Sequence, residues 1–323
     1  MALLPIQQHF PNASPLVYGC MGLGGGWDTN PIQNTHIKQA HEVIDCALEN
    51  NIHYFDHADI YTRGKAEQVF GQVLKQRPQL REQMIIQTKC GIRFADENTT
   101  QRYDLSSQWI THSVEKSLKQ LNTEYLDILL LHRPDPLMQV DEIAEAFAEL
   151  KSAGKVNHFG VSNMHQYQMA KLQKVLDTPL VVNQIEVSLA KQAWIDEGVY
   201  AGNQAGKNIN FTSGTLEYCQ DNGVQVQSWG SLCQGVYSGN HSDTDSQAVQ
   251  ETTQLVNKLA AKYQTSVEAI LLAWITRHPA QVQPVIGTTN LQRIAACAKA
   301  SVVTLSREDW YALYITAKGH ALP

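Results

Sequence analysis

The sequence predicts an α/β fold in which eight parallel strands close into a barrel. Short apolar runs alternate with longer segments of helical periodicity, and eight such runs occur between Leu16 and Gly287. Alternation of this kind is typical of βαβ units that share a parallel sheet. The length of 323 residues agrees, because α/β barrels of this size commonly form one unit. We therefore expect one (β/α)8 TIM-barrel domain over residues 1–323, with its active site at the C-terminal ends of the strands.

The eight apolar runs are the candidate barrel strands. Continuous apolar runs of this length are consistent with strands that are covered on both faces, as in parallel sheets. In chain order the predicted strands are 16–20, 53–56, 84–89, 126–132, 158–163, 180–185, 224–229 and 283–287.

The segments between the runs predict helices, and capping residues mark their ends. Thr35 is the expected N-cap of the first helix, and Ser106 or Ser107 that of the third. Gly154 is placed to end the fourth helix, and a late helix should stop before Pro279. The apolar stripes that would cover the sheet include Ile37, Ala40, Val43, Ile44, Ala47 and Leu48 in the first helix, Ile110, Val114, Leu118 and Leu121 in the third, and Val267, Ile270, Leu271 and Trp274 in the late one.

Two long polar segments, 93–104 and 191–210, interrupt the alternation. Loops of this length in a compact domain are usually functional lids or disordered segments. We expect them, with the tail after Leu305, to determine substrate specificity. None of the three carries a charge cluster that would suit a phosphate or a dicarboxylate.

Composition and charge exclude several classes of protein. Hydrophobic residues make up 43% of the chain and charged residues 17%, which is ordinary globular composition. The net charge of −6, without any block of like charges, argues against nucleic acid as a partner. No basic n-region opens the chain and no apolar window reaches about 18 residues, so we expect a cytoplasmic protein without a membrane segment.

Cysteines and histidines do not form a pattern that predicts a metal site. The six cysteines contain no Cys-x-x-Cys pair, which favours reduced thiols over disulfides or metal ligation. The histidines lack metal-ligand spacing on any shared face, and we assign none of them to a metal.

Polar or aromatic side chains end most of the predicted strands. A single residue of this kind is usually a solvated strand end or a core aromatic. Their recurrence at the same end of several strands is harder to explain in that way, because these ends meet on one face of a barrel. The residues concerned are Asp56, Lys89, His132, Ser162, Asn163, Gln184, Trp229, Gly287 and Thr288.

Three of these residues, Asp56, Lys89 and His132, form a candidate catalytic set with Tyr61. Tyr61 lies five residues beyond Asp56, in the loop that follows the second predicted strand. A phenol is a poor acid at neutral pH, and the Lys89 ammonium would lower its pKa by favouring the phenolate. Asp56 would keep Lys89 charged and oriented, and His132 would donate a hydrogen bond to a substrate oxygen. The structural alternatives are a barrel ion pair, a surface tyrosine and a core histidine.

With these residues the sequence resembles the aldo-keto reductases, and the resemblance extends over nearly the whole chain. In the pieces HADIY, TKCG, LLLHRPDP and HFGVSN it resembles the bacterial YdhF-type oxidoreductases of that superfamily. The resemblance implies NADP(H)-dependent reduction of small aldehydes and ketones to alcohols, with Tyr61 as general acid. The matching positions are Asp56, Ala58, Tyr61, Lys89 and His132, together with VSN at 161–163, NQ at 183–184 and IGT at 286–288.

The resemblance also implies where a nicotinamide would bind. Ser162, Asn163 and Gln184 match residues that hold the nicotinamide carboxamide, and the Trp229 indole would stack on the ring. The alternative for Trp229 is plain barrel packing.

The phosphates would be bound by two turns that follow strands. Backbone N–H groups of Gly230, Ser231 and Leu232 are suited to a pyrophosphate, and residues 287–290 open a helix that offers further donors. The phosphate-binding residues in that second turn are Gly287, Thr288 and Thr289.

The adenosine end of the candidate cofactor site both matches and departs from the family. Arg293 matches the arginine that meets the 2′-phosphate of NADP. Ala296 and Cys297 replace the adenine-contacting residues of many relatives, and Gly287 replaces a cation beside the phosphate. We expect NADP(H) as cofactor, in preference to NAD(H).

The glycine-rich segment 22–27, GLGGGW, fails as a dinucleotide fingerprint because Trp27 occupies the third glycine position. We interpret it as a flexible first loop, with Trp27 lining the substrate pocket beside Tyr61 and His132. Two other functions remain open at this point: a non-catalytic NADP(H)-binding sensor or accessory subunit, and a metallohydrolase. The metallohydrolase would use Asp56, His57, Asp59 and His132.

Overall fold

The computed structural model describes residues 3–240 and 246–323, and its centre is a closed barrel of eight parallel strands. The strands are β1 (Val17–Gly19), β2 (Tyr54–Asp56), β3 (Ile85–Cys90), β4 (Ile92–Arg93), β5 (Arg102–Tyr103), β6 (Leu126–Leu131), β7 (Val156–Ser162), β8 (Leu180–Glu186), β9 (Gln225–Trp229) and β10 (Gln283–Ile286). In spatial order the barrel strands are β1, β10, β9, β8, β7, β6, β3 and β2, and β1 pairs with both β10 and β2. Each of the eight predicted barrel strands is confirmed to within two residues.

The barrel interior is apolar towards its N-terminal end and polar above. Ile6, from a 3-10 turn at Pro5–Gln8, is fully buried among inward-facing aliphatic side chains such as Val17 and Ile128. The Ile6 N–H donates to the side chain of Gln225, so this turn closes the bottom of the barrel. A second, larger apolar cluster joins the strands to the surrounding helices. Polar chemistry is therefore concentrated at the opposite end, where the strands finish.

Helices cover the outside of the barrel. In chain order the α-helices of the described residues are α1 (Asn34–Glu49), α2 (Lys65–Gln76), α3 (Ser107–Leu121), α4 (Val140–Ser152), α5 (Gln166–Gln173), α6 (Ala193–Val199), α7 (Thr215–Asp221), α8 (Gln247–Lys262), α9 (Val267–Thr276), α10 (Leu291–Ala298) and α11 (Arg307–Lys318). Within the described ranges no helix is long and apolar enough to cross a bilayer.

Most of the predicted helix boundaries are confirmed. Ser106 is the N-cap of α3 and accepts the N–H of Trp109, and Gly154, at φ +69°, follows the end of α4. The prediction for Thr35 is wrong, because the N-cap of α1 is Gln33, two residues earlier. Gln33 has extended backbone angles and its N–H donates to the ring of His36, so Thr35 lies inside the first turn.

The two segments expected to be long loops contain regular structure. In the first, β4 and β5 form a short antiparallel pair that brings Ile92 opposite Tyr103. In the second, α6 is anchored by a buried Trp194 and by Asp196, which accepts a 2.6 Å hydrogen bond from Lys318. Apolar anchors and an ion pair fix segments whose composition is mostly polar.

The six cysteines, all within the described ranges, are free thiols, as predicted. Five are buried and Cys46 is partly exposed.

Candidate active site

Three of the four candidate catalytic residues form one hydrogen-bonded chain at the C-terminal end of the barrel. Asp56 is the last residue of β2, and Lys89 lies near the end of the neighbouring β3. The Lys89 ammonium donates to the Asp56 carboxylate at 2.7 Å and to the Tyr61 hydroxyl at 2.9 Å. Both charged side chains are almost fully buried, whereas Tyr61 is partly exposed. The Tyr61 phenol and the buried ion pair are thus in direct contact, as the sequence predicts.

Burial and the ion pair act in opposite directions on this chain. Burial disfavours the Lys89 ammonium, but the Asp56 carboxylate and Tyr61 outweigh it and raise the pKa of Lys89 above its ordinary value. Burial raises the pKa of Tyr61, and the Lys89 ammonium offsets only part of that rise. The expected net lowering of the Tyr61 pKa is therefore not found, because desolvation of the phenolate exceeds the attraction of the ammonium. Tyr61 is protonated at neutral pH.

His132, which follows β6, faces Tyr61 edge-on, with 6.0 Å between ring centroids. Burial lowers the pKa of His132 well below its ordinary value, and the charges of Lys89 and Arg133 lower it further. The ring is therefore neutral at neutral pH and carries one N–H. Its buried Nδ1 has no hydrogen-bond partner within the described part of the chain.

A cluster of buried glutamines holds the Asp56 carboxylate, and the sequence analysis missed most of it. Gln87 donates to Asp56 at 2.5 Å and Gln184 donates to the same oxygen at 3.1 Å. Both also donate to Gln227 at 3.0 Å, and Gln227 donates to Gln283 at 3.0 Å. The sequence signal that could have indicated this cluster is a glutamine inside each of four otherwise apolar predicted strands.

Arg133 is a second residue that the sequence analysis missed. It follows His132 directly, is partly buried, and lies over the Trp229 ring with 5.8 Å from guanidinium carbon to ring centroid. The motif LLLHRPDP contains it, but the motif alone does not indicate that its charge faces the barrel mouth.

The predicted nicotinamide residues form a connected group. The Trp229 indole N–H donates to Asn163 at 3.0 Å, and Asn163 donates to the Ser162 hydroxyl at 2.8 Å. Asn163 also donates to the His132 carbonyl, and it has a left-handed φ of +57°. The Gln184 side chain points deeper into the barrel, because its amide nitrogen donates to Asp56 and Gln227. Ser162, Asn163 and Trp229 thus share the barrel mouth, and Gln184 lies behind them.

The two predicted phosphate turns are neighbours in space. Ser231 donates to the carbonyl of Val285 at 3.1 Å, which ties the turn after β9 to β10. Gly230 has φ +69°, and Leu232 follows as the residue before a 3-10 turn. Asn290 caps α10 and accepts the N–H of Arg293 at 3.1 Å, and the carbonyl of Thr288 accepts from Tyr18.

The residue types of this rim fit a dinucleotide. Gly287 leaves open space, because the atom nearest to an added Cβ would be the Gly19 carbonyl oxygen at 3.9 Å. Across the first loop, an added Cβ at Gly22 would meet the Thr289 methyl at 3.2 Å. Backbone donors at a helix N-terminus, a guanidinium at one end and carboxamide and hydroxyl groups at the other are the donors that phosphates and a nicotinamide require.

The first loop packs more closely than a flexible loop would. Gly24 has φ +83°, and an added Cβ would lie 2.6 Å from the Lys65 carbonyl carbon. Lys65 pairs with Asp28 at 2.8 Å. The glycine at 24 is thus required by positive φ and close approach. Trp27 is 49% exposed on this loop.

Two residues that the metallohydrolase alternative would use as metal ligands, Asp56 and His57, make other contacts in the structure. Asp56 is bound by Lys89 and two glutamines, and the His57 ring packs edge-on against Phe70, 4.6 Å between centroids. Across residues 3–240 and 246–323, no three or more histidine, cysteine or carboxylate side chains are grouped as a metal ion would need.

Asp59 is a buried carboxyl two residues before Tyr61 in the chain, and it is close enough to Glu67 to be affected by its charge. Burial raises the pKa of Asp59 to about 7, and the neighbouring Glu67 carboxylate adds to the rise while Lys116 opposes it. Glu67 is fully buried and accepts from Thr88 at 2.7 Å. The folded chain therefore binds a proton on Asp59 at pH values where the unfolded chain has lost it.

This raised pKa predicts how stability depends on pH. Between 3.8, the ordinary value, and about 7, the folded state binds more protons, so the free energy of unfolding falls as pH rises. We expect Asp59→Asn to remove that fall and to stabilise the protein at pH 8 by on the order of 1–4 kcal/mol. Urea unfolding at several pH values measures it. Asp141→Asn, at an exposed residue of α4, is the control, and an equal pH profile for both variants would contradict the assignment.

Comparison with known proteins agrees with this geometry. The family model described as "Aldo/keto reductase family" matches residues 15–316. The chain is 35% identical over 315 residues to the 6-dehydroglucose reductase of Agrobacterium fabrum, with 95% of each protein covered. It is also 35% identical over 292 residues to the oxidoreductase YdhF of Escherichia coli, covering 90% of this chain and 91% of that protein.

A solved structure supports the fold. The aldo/keto reductase of Klebsiella pneumoniae, in complex with NADP and acetate, superposes with a TM-score of 0.70 at 22% identity, covering 93% of this chain and 90% of that one. The resemblance stated from the motifs is thereby confirmed. Since the family model spans most of the sequence and both relatives exceed 30% identity over nearly all of it, this chain is an oxidoreductase that belongs to the aldo/keto reductase family.

Proposed function

We propose that this protein reduces small aldehydes or ketones to alcohols with NADP(H), and that Tyr61 donates the proton. The observation that carries the proposal is the Lys89 ammonium, which contacts the Asp56 carboxylate at 2.7 Å and the Tyr61 hydroxyl at 2.9 Å. The Lys89 ammonium offsets part of the cost of burying the Tyr61 phenolate, so it favours the loss of the proton from this phenol. Its partly exposed position allows a substrate to reach it.

The chain's own residues would handle the proton and the oxygen. NADPH, when bound, would supply the hydride for the carbonyl carbon. The Tyr61 O–H bond breaks as the carbonyl oxygen takes the proton, and the Lys89 ammonium stabilises the phenolate until solvent returns a proton. The neutral His132 ring donates its N–H to the same oxygen and orients the carbonyl. Asp56 and its two glutamine donors hold Lys89 in place and charged.

The cofactor would lie across the mouth from the Tyr61 side towards α10. The Trp229 indole would pack on the nicotinamide ring, and the half-exposed Trp27 would border the substrate. The residues proposed to contact the cofactor polar groups are Ser162, Asn163 and Gln184 for the carboxamide, Gly230, Ser231 and Leu232 for the pyrophosphate, and Gly287, Thr288, Thr289 and Arg293 for the adenosine phosphates.

Cofactor binding and turnover test the proposal together. We expect NADPH fluorescence to change when protein is added, and NADPH absorbance to fall when an activated aldehyde follows. Sugar aldehydes belong in the substrate panel with ketones and α-dicarbonyls, because two relatives are named 6-dehydroglucose reductase, at 35% and 31% identity. A chelator should leave the rate unchanged, since the proposed acid is a phenol.

Two results would contradict this function in different ways. Binding of NADPH without single turnover on any carbonyl of the panel would favour the sensor or accessory subunit. Absence of any change in NADPH fluorescence, combined with hydrolytic activity that a chelator removes, would favour the metallohydrolase.

A further inference from the structure

The guanidinium of Arg293 is already engaged by the protein on two of its nitrogens. Its Nε lies 3.4 Å from a carboxylate oxygen of Glu268, and its Nη2 donates to the carbonyl of Ser238. The Arg293 side chain is 36% exposed, whereas that of Glu268 is only 10% exposed. The carboxylate is therefore a fixed and poorly solvated neighbour of the one cation assigned to the adenosine phosphate.

Glu268 reaches this position from a different helix. It lies in the first turn of α9, whose N-cap is Ser266, and the Ser266 hydroxyl donates to the carbonyl of Ala296 in α10 at 2.9 Å. The two helices therefore touch at this point. Cys297 of α10 is affected by the same two charges: burial raises its pKa to about 12, Glu268 adds to the rise and Arg293 opposes it.

The surroundings fix the guanidinium and do not strengthen its charge. Gly239, at φ +126°, approaches it so closely that an added Cβ would lie 3.4 Å from Nη2. Gly287, in the turn before α10, contributes no charge although there is open space beside it. The local sum of Arg293 and Glu268 is zero, so an incoming phosphate meets no net positive charge from this pair.

We propose that Glu268 weakens the preference of this enzyme for NADP(H) over NAD(H). This inference rests on the proposed cofactor function. A 2′-phosphate brings about two negative charges that the Arg293 guanidinium attracts, and the adjacent Glu268 carboxylate offsets much of that attraction, whereas the uncharged hydroxyl of NAD is little affected by either charge. Glu268 is a positioning residue, because it acts through Arg293. NADPH binds more tightly than NADH, but the ratio of their dissociation constants is on the order of tenfold or less.

Dissociation constants for both cofactors, measured by fluorescence titration without substrate, test the inference. Glu268→Gln is expected to raise the NADPH preference by on the order of threefold to tenfold, mainly through tighter NADPH binding. Glu268→Asp keeps the charge and should stay near wild type. Glu115→Gln, which removes a carboxylate from an exposed pair with Lys155 on another face, controls for net charge and should leave the ratio unchanged.

Testing Glu268→Gln in an Arg293→Met variant shows whether Glu268 acts on cofactor binding through Arg293 or only forms a structural ion pair with it. In Arg293→Met the effect of Glu268→Gln on the cofactor ratio should disappear, because there is no guanidinium left to neutralise. Thermal unfolding of each variant shows that it is folded before it is titrated. An unchanged or lowered NADPH preference in folded Glu268→Gln would overturn the inference, as would wild-type discrimination of a hundredfold or more. Failure of the wild type to bind either cofactor would instead overturn the proposed function.

Discussion

Tyr61→Phe is expected to lower the rate of carbonyl reduction about 10²- to 10⁴-fold while leaving NADPH binding nearly unchanged. The substitution removes the only atom of the side chain that can give a proton, and it keeps the ring that packs edge-on against His132. The Lys89 ammonium then lacks its phenol acceptor but keeps Asp56. Single-turnover kinetics with an activated aldehyde measure the rate, and fluorescence titration measures cofactor affinity.

A matched substitution shows whether the loss is specific. Tyr167→Phe removes a hydroxyl from a 69% exposed tyrosine on α5 and should leave the rate unchanged. A Tyr61→Phe enzyme that retains more than about a tenth of the wild-type rate would contradict the role of this phenol as general acid. Equal losses in rate and in NADPH affinity would point to a binding role instead.

Lys89→Met is expected to reduce both turnover and stability, the second by about 3–5 kcal/mol. Lys89 and Asp56 are each about 1% exposed, so removing the ammonium leaves a carboxylate buried without a countercharge. The two glutamine donors remain, but they supply no positive charge. Urea unfolding at neutral pH measures the free energy of unfolding.

Two further variants identify the cause of that loss. Lys89→Met combined with Asp56→Asn should recover much of the stability, because no charge is left unpaired, yet turnover should stay low. Lys155→Met breaks an exposed pair with Glu115 and should cost less than about 1 kcal/mol. Equal costs for Lys89→Met and Lys155→Met would show that Asp56 is not held as a buried anion.

The strands and the hydrogen-bonded chain of Asp56, Lys89 and Tyr61 were predictable from sequence for a physical reason. A strand in a parallel barrel is covered on both faces, so it appears in the sequence as a short apolar run. Polar residues follow the run where the strand reaches the solvent-facing end of the barrel. Asp56, Lys89 and His132 each stand at such an end, and Tyr61 follows in the adjoining loop. One barrel topology then brings them together without any further information.

The parts that sequence reasoning missed depend on contacts between distant segments. Glu268 and Arg293 lie on two helices, and neither residue type nor spacing indicates that they meet. The β4–β5 pair was hidden by the polar composition of its segment, and Gln33 displaced Thr35 as a cap through a local bond to His36. The net rise in the pKa of Tyr61 also depends on the extent of burial, which the sequence does not give.

The glutamines inside the barrel have one fixed direction. Gln283 donates to the carbonyl of Ser14 at 2.7 Å, which can only accept, so its own oxygen must receive the amide of Gln227. Gln227 in turn accepts from the two glutamines that serve Asp56. Every amide orientation from the Ser14 carbonyl to the Asp56 carboxylate is therefore set by its neighbours. Turning one amide around, or all of them together, would set two acceptors against each other, so this network of side chains has a single orientation.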